Sequence, residues 1–129
     1  MLNRKIVQKA LDQTWSMDDY RGYISDKTSD SQSGLTSRLI YDSFGGEILK
    51  THLKKGWHFY NRIDGERFDF TISKTGKSSL DIPFEDIPSN TDETYNYFQE
   101  DDYLTQFIRF IRAFEEILGL KRYRRGIAA

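Results

Sequence analysis

Residues 47–72, EILKTHLKKGWHFYNRIDGERFDFTI, decide the fold of this chain of 129 residues. The stretch holds three runs of strand-like composition, separated by Lys55-Gly56 and by Asp64-Gly65. Asp-Gly between two alternating runs is a strong short-range signal for a β-hairpin, because both turn residues adopt a positive φ. The sequence therefore predicts an antiparallel β-meander over about residues 47–72, with strands at 47–53, 57–63 and 66–72.

Amphipathic segments flank the meander on both sides, and their apolar residues recur at helical spacing. They predict helices at about residues 3–16, 34–44 and 102–118. Gly45-Gly46 follows the second of these segments and Gly119 the third, and glycine commonly ends a helix in this way. Helices packed against one antiparallel meander make an α+β fold, and the length of the chain predicts one domain, 1–129, with 119–129 as a frayed basic tail.

Composition narrows the classes of function. The net charge is −1, so no overall field favours nucleic acid or an anionic membrane. No apolar run approaches the roughly 20 residues that span a bilayer, and the N-terminal residues lack the apolar region of a secretory signal. We expect a cytoplasmic protein with no membrane partner. With no cysteine and two histidines, we also expect no disulfide, no metal site and no cofactor.

A two-residue turn at Asp64-Gly65 also determines which side chains share a face of the hairpin. His58 and Asp69 then become diagonal neighbours, roughly 7–8 Å apart at the backbone and within side-chain reach. A carboxylate beside an imidazole sets the tautomer and stabilises the imidazolium, so this pair suits a general base. The polar face of the predicted hairpin comprises His58, Tyr60, Arg62, Arg67, Asp69 and Thr71.

A general base needs a nucleophile, and Ser33 stands where a polar loop over residues 16–32 meets the predicted second helix. At a helix N-terminus the unpaired backbone amides and the helix dipole favour a developing negative charge. Ser33 is therefore the candidate nucleophile, with His58 as the base and Asp69 as the group that orients it.

Further residues are candidates for binding the oxyanion or the substrate. Gln32 offers a side-chain N–H, and Ser33 and Gly34 offer backbone N–H groups. Tyr60 shares the hairpin face that carries His58. Donors aimed at the oxygen on which charge develops lower the barrier to acyl transfer.

Structural interpretations stand beside these. Ser33 in front of a helix is, taken alone, an N-cap worth about 1 kcal/mol. Asp69 could instead pair with Arg62 or Arg67 across the hairpin, an exposed ion pair of little energetic value. Asn61 falls on the aromatic face, where it needs hydrogen-bond partners and could tie its strand to the 16–32 loop. A capping box at Ser89 and Asp92 predicts one further helix start.

Four short motifs together resemble the YunG-like family of small uncharacterised bacterial proteins. The family pattern reads S-x-G-Q-C-x-x-T-[AS], then F-G-G-E-I, then H-[YF]-[WY]-N-R, then D-x-T, and the match covers about Thr14 to Thr71. The matching residues are Ser29, Gln32, Thr36 and Ser37, then Phe44 to Ile48, then His58 to Arg62, then Asp69 to Thr71. Ser31 replaces the glycine of the pattern, and Ser33 replaces its cysteine.

The order cysteine, histidine, aspartate in that family is similar to papain-like and transglutaminase-like folds, where the three residues form a catalytic triad. The resemblance implies such an arrangement here, with Ser33, His58 and Asp69 at the triad positions. A serine hydroxyl does not ionise at neutral pH as an activated thiol does, so it depends wholly on its base. We therefore expect a hydrolase, deamidase or acyl-transferase scaffold that is inactive or silenced as written, whose substrate would be an amide of a protein or small molecule. The sequence leaves open whether the serine is the natural residue.

A second hypothesis is a non-catalytic interaction module. Residues 81–102 carry eight acidic side chains and no basic one, and with the 16–32 loop they could bind a protein partner. A solvated acidic face explains the same residues without a partner. The basic tail could contact nucleic acid through phosphates, although such a tail more often aids solubility. Whether the protein is a monomer or a homodimer stays open.

Overall fold

The computed structural model describes residues 2–15, 29–54, 56–72, 81–95 and 100–119. The chain divides into two compact units, residues 1–25 with 104–129 and residues 26–103. The single domain therefore stays a prediction. In chain order the elements are α1 (Arg4–Trp15), α2 (Ser29–Phe44), β1 (Glu47–Leu53), β2 (Gly56–Ile63), β3 (Glu66–Phe68), β4 (Ile87–Pro88), α3 (Thr91–Thr94) and α4 (Glu100–Leu118).

The first unit contains α1 and the greater part of α4. The apolar face that predicted α1 is buried, at Val7, Ala10 and Leu11. The bounds of α1 and α4 lie within two residues of the predicted ones. None of the helices in the described ranges is long and apolar enough to cross a bilayer.

The second unit is a four-stranded antiparallel sheet of order β3-β2-β1-β4 with α2 packed against β2. Apolar side chains of α2 and of both faces of the sheet are buried: Leu35, Leu39, Ile40, Ile48, Leu49, Phe59, Tyr60 and Phe68. The α+β class and the antiparallel meander are thus confirmed.

The Asp64-Gly65 turn has the predicted form. Asp64 has φ 52° and Gly65 has φ 79°, and Ile63 pairs with Glu66 across the turn. Two positive φ values match the right-handed twist of the flanking strands, which is why Asp-Gly is favoured at this position. The register of the β2–β3 hairpin therefore follows from the turn.

The third predicted strand is shorter than expected, since β3 ends at Phe68 instead of residue 72. The Asp69 side chain accepts hydrogen bonds from the backbone N–H and the hydroxyl of Thr71. An aspartate bonded to the backbone two residues ahead forms a local turn, and this turn competes with the strand ladder.

The second helix is longer than expected, because α2 begins at Ser29 instead of residue 34. The last part of the predicted 16–32 loop is therefore helical, while residues 16–28 lie outside the described part of the chain. Ser33 lies one turn inside α2, so its interpretation as an N-cap is wrong. Helical spacing gives no signal over residues 29–34, since they are polar or small, yet Gln32 and Ser33 are buried.

Of the two short elements, β4 was not predicted, and α3 was predicted only by its start. Two residues of strand and four of helix are too short to show a period. The capping box at Ser89 and Asp92 is wrong by one residue. The N-cap is Asn90, whose side chain accepts from the backbone N–H of Glu93, while the Ser89 hydroxyl donates to the Glu93 carboxylate.

Candidate functional site

His58 and Asp69 form a buried pair at the end of the hairpin. His58 Nε2 lies 2.6 Å from Asp69 Oδ2, and the two side chains are 2% and 6% exposed. The other Asp69 oxygen accepts from the Thr71 backbone and hydroxyl, so both carboxylate oxygens are engaged. The turn that ends β3 therefore also orients the carboxylate toward the histidine. The structure brings together the two residues that the hairpin register predicted to be neighbours.

The second ring nitrogen of His58 is the chemically informative one. Nδ1 is buried and has no hydrogen-bond partner among the residues that the structure describes. With a proton on Nε2 held by Asp69, Nδ1 carries the lone pair of the neutral imidazole. The pair thus presents one buried nitrogen that can accept a proton.

Ser33 lies against the strand that carries His58. Its Oγ accepts a hydrogen bond of 3.0 Å from the backbone N–H of Phe59, the residue after His58. Continuing the β2–β3 register would place Phe70 opposite Phe59, but β3 has already ended. The Ser33 hydroxyl oxygen accepts the hydrogen bond that a longer β3 would have accepted from Phe59. The Ser33 side chain is fully buried.

Two more polar atoms without partners lie on the same part of α2. Gln32 Nε2 and Thr36 Oγ1 are buried with no hydrogen-bond partner within the described ranges. Residues at i and i+4 lie on one face of a helix, so Gln32 and Thr36 are neighbours on the turn of α2 that carries Ser33. Thr36 was not among the predicted site residues, although it belongs to the family motif, and that membership was the available signal.

Gly34 is buried inside α2. In a helix that begins at Ser29, the N–H groups of Ser33 and Gly34 are in register with the carbonyls of Ser29 and Asp30. The backbone amides predicted for an oxyanion site therefore belong to the helix ladder, whereas the Gln32 side chain does not.

Tyr60 is engaged in a separate cluster. Its hydroxyl donates to Asp86 Oδ1 at 2.9 Å and accepts from the Asp86 backbone N–H at 2.7 Å. Burial and the hydrogen bond to Asp86 raise the pKa of Tyr60 well above its usual value. Arg67 binds the same carboxylate and lies over the Phe84 ring. The Tyr60 hydroxyl thus anchors the segment before β4.

The remaining alternatives for the hairpin residues are corrected by their contacts. Arg62 pairs with Glu47 and Arg67 with Asp86, so the proposed pairing of Asp69 with either arginine is wrong. Asn61 donates to the Ser37 carbonyl at 2.9 Å and is buried. Asn61 therefore ties β2 to α2 instead of to the predicted loop.

Several carboxylates of the acidic segment, residues 81–102, are engaged in contacts within the protein. Glu93 pairs with Lys50, and Glu85 accepts from the Thr51 hydroxyl and the His52 backbone N–H. With Asp86, these carboxylates bind the segment back to the sheet, which leaves fewer of them for a partner. Residues 96–99 and the basic tail from 120 onward lie outside the described residues. Within the described ranges no group of three or more His, Asp or Glu side chains could hold a metal ion.

Comparison with known proteins identifies relatives. A family model described as "YunG protein" matches residues 3–112. A Bacillus subtilis (strain 168) protein named "Uncharacterized protein YunG" is 35% identical over 97 residues, which cover 75% of this chain and 82% of that protein. No solved structure matches the chain. The predicted resemblance is therefore confirmed, and the papain-like arrangement stays a prediction.

Proposed function

The chain belongs to the YunG family, and we propose that Ser33, His58 and Asp69 form an acyl-transfer site of papain-like or transglutaminase-like order that is silenced by serine at the nucleophile position. Its chemistry would be hydrolysis, deamidation or acyl transfer at an amide. The single observation that carries the proposal is the buried histidine–carboxylate pair: His58 Nδ1 has no partner among the described residues, and Phe59, the next residue in the chain, donates its backbone N–H to Ser33.

Each residue has a definite role in this proposal. His58 Nδ1 takes the proton of the nucleophile, and Asp69 stabilises the imidazolium that results. The Gln32 side chain donates to the oxyanion, and its unpartnered Nε2 supports this role better than the helix amides of Ser33 and Gly34.

The Ser33 hydroxyl is a poor nucleophile in this setting. One of its lone pairs is directed at the Phe59 N–H, and a hydroxyl does not ionise near neutral pH. The contribution of the helix dipole falls off within the first turn, and Ser33 lies just beyond it. Activation would rest on His58 alone, and a base that readily ionises a thiol leaves a hydroxyl un-ionised before the attack.

The test is the pKa of a thiol placed at position 33. In Ser33→Cys, thiolate absorbance followed against pH needs no reagent to enter the buried site. We expect the thiol pKa to lie at least about one unit below the ordinary value of about 8.5, because an adjacent histidinium stabilises the thiolate. Adding His58→Ala should return the pKa to about 8.5 or above, since burial alone raises it.

Ser43→Cys is the matched control, because Ser43 lies on the same helix and only half-buried. Its thiol should titrate near about 8.5 whether or not His58 is present. A position-33 thiol whose pKa ignores the His58 substitution would rule out the proposed site.

A further inference from the structure

We propose that a second site, separate from Ser33, binds a hexopyranose ring, either of a free sugar or at the end of a glycan. The inference goes beyond the proposed function, because none of Ser33, His58 and Asp69 lines this site. It is carried by an open cavity of about 260 Å³ and by the chemistry of the side chains that line it.

The cavity lies where the end of α2, the start of β1 and the segment that joins β4 to α3 meet, all within the second unit. Buried residues of β1, Ile48 and Leu49, line it together with the exposed residues Tyr41 and Glu47. A lining that combines buried and exposed residues is that of a cleft open to solvent, so a ligand can enter. Residues 46–48 of this lining belong to the F-G-G-E-I motif, of which the Ser33 site uses no residue.

Hydrogen bonds inside the protein hold the walls of the cavity in place. Ser89 donates its backbone N–H to the Ile48 carbonyl at 2.9 Å and its hydroxyl to the Glu93 carboxylate at 2.8 Å. Asn90 Oδ1 accepts from the Glu93 backbone N–H at 2.9 Å. These bonds fix the segment after β4 against β1. The cavity is therefore formed before a ligand binds, which lowers the ordering cost of binding.

The charges around the cavity favour a neutral ligand. Among the described residues that line it there is no Lys, Arg or His, so a phosphate or carboxylate ligand would lack charged donors. The carboxylate in this lining, that of Glu47, already binds Arg62 through both oxygens, at 2.8 Å and 3.1 Å. A cationic ligand would have to compete with this ion pair.

Polar side chains of the lining favour a ligand with several hydroxyls. No described residue occupies the Tyr41 hydroxyl, Asn90 Nδ2 or the Thr91 hydroxyl. Hydroxyls donate and accept, the amide nitrogen donates, and the Glu47 carboxylate keeps lone pairs that Arg62 does not use. An apolar ligand would remove water from these groups and replace none of its hydrogen bonds, which is unfavourable. Sugar hydroxyls replace them.

The apolar part of the lining favours a ring of sugar size. Tyr41 is 36% exposed and Pro88 is exposed, so both side chains are accessible. A tyrosine combines an apolar ring with a polar edge. A pyranose has the same character, since its C–H groups form an apolar face and its hydroxyls surround the edge. The cavity is somewhat smaller than the about 300–1,000 Å³ of pockets for drug-sized molecules, so it fits one such ring.

The experiment is an NMR titration of the isotope-labelled protein with the methyl pyranosides of glucose, galactose and mannose. We expect at least one of them to shift the amide resonances of Gly46, Glu47, Asn90 and Thr91, with a Kd of about 1 mM, as is typical of so small a ligand. A phosphate ester of the same sugar and cyclohexanol are the comparison ligands. Each should bind at least about tenfold more weakly than the preferred glycoside, because one adds an unmatched charge and the other lacks the hydroxyls.

Two variants test whether binding occurs in this cavity. Tyr41→Ala removes the exposed ring and should weaken binding at least about tenfold, with little loss of stability because alanine favours a helix. Asn90→Asp keeps the acceptor for the Glu93 N–H but removes the amide donor, so binding should weaken at least about fivefold at an unchanged melting temperature. Ile108→Ala is the matched control for Tyr41→Ala, since Ile108 is also an exposed apolar residue on a helix but belongs to the first unit. It should leave binding unchanged.

Absence of binding by all three glycosides would overturn the inference, as would binding that survives Tyr41→Ala. Equal or tighter binding of the phosphate ester or of cyclohexanol would also overturn it, because the cavity would then select for charge or for apolar surface alone. A linear trisaccharide of the preferred sugar distinguishes the two sources of the ring. Tighter binding than that of the methyl glycoside identifies the end of a glycan, and equal or weaker binding identifies a free sugar.

Discussion

Ser33 shows at the residue scale how one hydroxyl can serve the fold at a position that the family pattern assigns to a cysteine. Its Oγ completes the hydrogen bonding of the Phe59 amide at the open edge of β2, where β3 no longer pairs. Sulfur is a weaker acceptor than a hydroxyl oxygen, so a cysteine would hold this amide less firmly. A serine at this position therefore holds α2 to the sheet more firmly, whereas a cysteine would be the more reactive residue.

Ser33→Ala should destabilise the second unit by about 1–3 kcal/mol, because it leaves the buried Phe59 N–H without this acceptor. The free energy of unfolding from urea titration measures the effect. Ser43→Ala is the control, since the Ser43 hydroxyl only donates to the Leu39 carbonyl and no buried donor is left unmet. That variant should stay within about 0.5 kcal/mol of the parent protein. Similar losses in both variants would contradict the role assigned to Ser33.

At the scale of elements, the junction between α2 and β1 depends on two glycines with different demands. Both have positive φ values, 79° for Gly45 and 85° for Gly46. A Cβ at Gly46 would lie 2.5 Å from the Arg62 carbonyl oxygen and 2.8 Å from Cγ1 of Ile63, whereas a Cβ at Gly45 meets nothing within 4 Å. The first glycine is needed for its backbone conformation, and the second also lets the chain approach β2 closely.

Gly45→Ala should cost about 1–2 kcal/mol, the penalty of placing a Cβ in the left-handed region. Gly46→Ala should cost a further about 1–3 kcal/mol, because the clash is with backbone that cannot move aside without disturbing β2. Thermal unfolding of the two variants side by side provides the comparison. Equal melting temperatures would show that close approach is not the constraint at Gly46.

At the scale of the whole molecule, the described carboxylates with lowered pKa values all lie in the second unit. Arg67 lowers the pKa of Asp86, Lys50 lowers that of Glu93 and Arg62 lowers that of Glu47. The pKa of Glu85 is lowered by the His52 backbone N–H and the Thr51 hydroxyl. These groups bind protons more weakly in the folded protein than in the unfolded chain, so their stabilisation is present above about pH 4 and is lost as pH falls through the folded pKa values.

Asp86→Asn should therefore flatten the fall of unfolding free energy between about pH 5 and pH 3. Asparagine tolerates the φ of 54° at this position and still accepts from Tyr60, so the change removes mainly the ion pair with Arg67. The loss at neutral pH should be below about 1 kcal/mol, because the pair is partly exposed. Urea titrations across this pH range test the expectation. If the unfolding free energy of the variant falls as steeply toward acid pH as that of the parent protein, the expectation is refuted.

The amino-acid sequence by itself determined what depends on near neighbours. The Asp64-Gly65 turn set the hairpin register and hence the proximity of His58 and Asp69, and apolar spacing located α1 and α4. These features follow from local sterics and from the periods of helix and strand, which any chain carries in its own order of residues.

Only the tertiary structure decided where α2 begins, where β3 ends and which polar atoms are buried without partners. Ser33 meets Phe59, and Asp86 meets Tyr60, across 26 positions of the chain. No local pattern encodes such pairs, because the burial of a polar group and the identity of its partner depend on which distant segments pack together. The candidate site arises where that packing leaves Gln32, Thr36 and His58 with unmet hydrogen bonds.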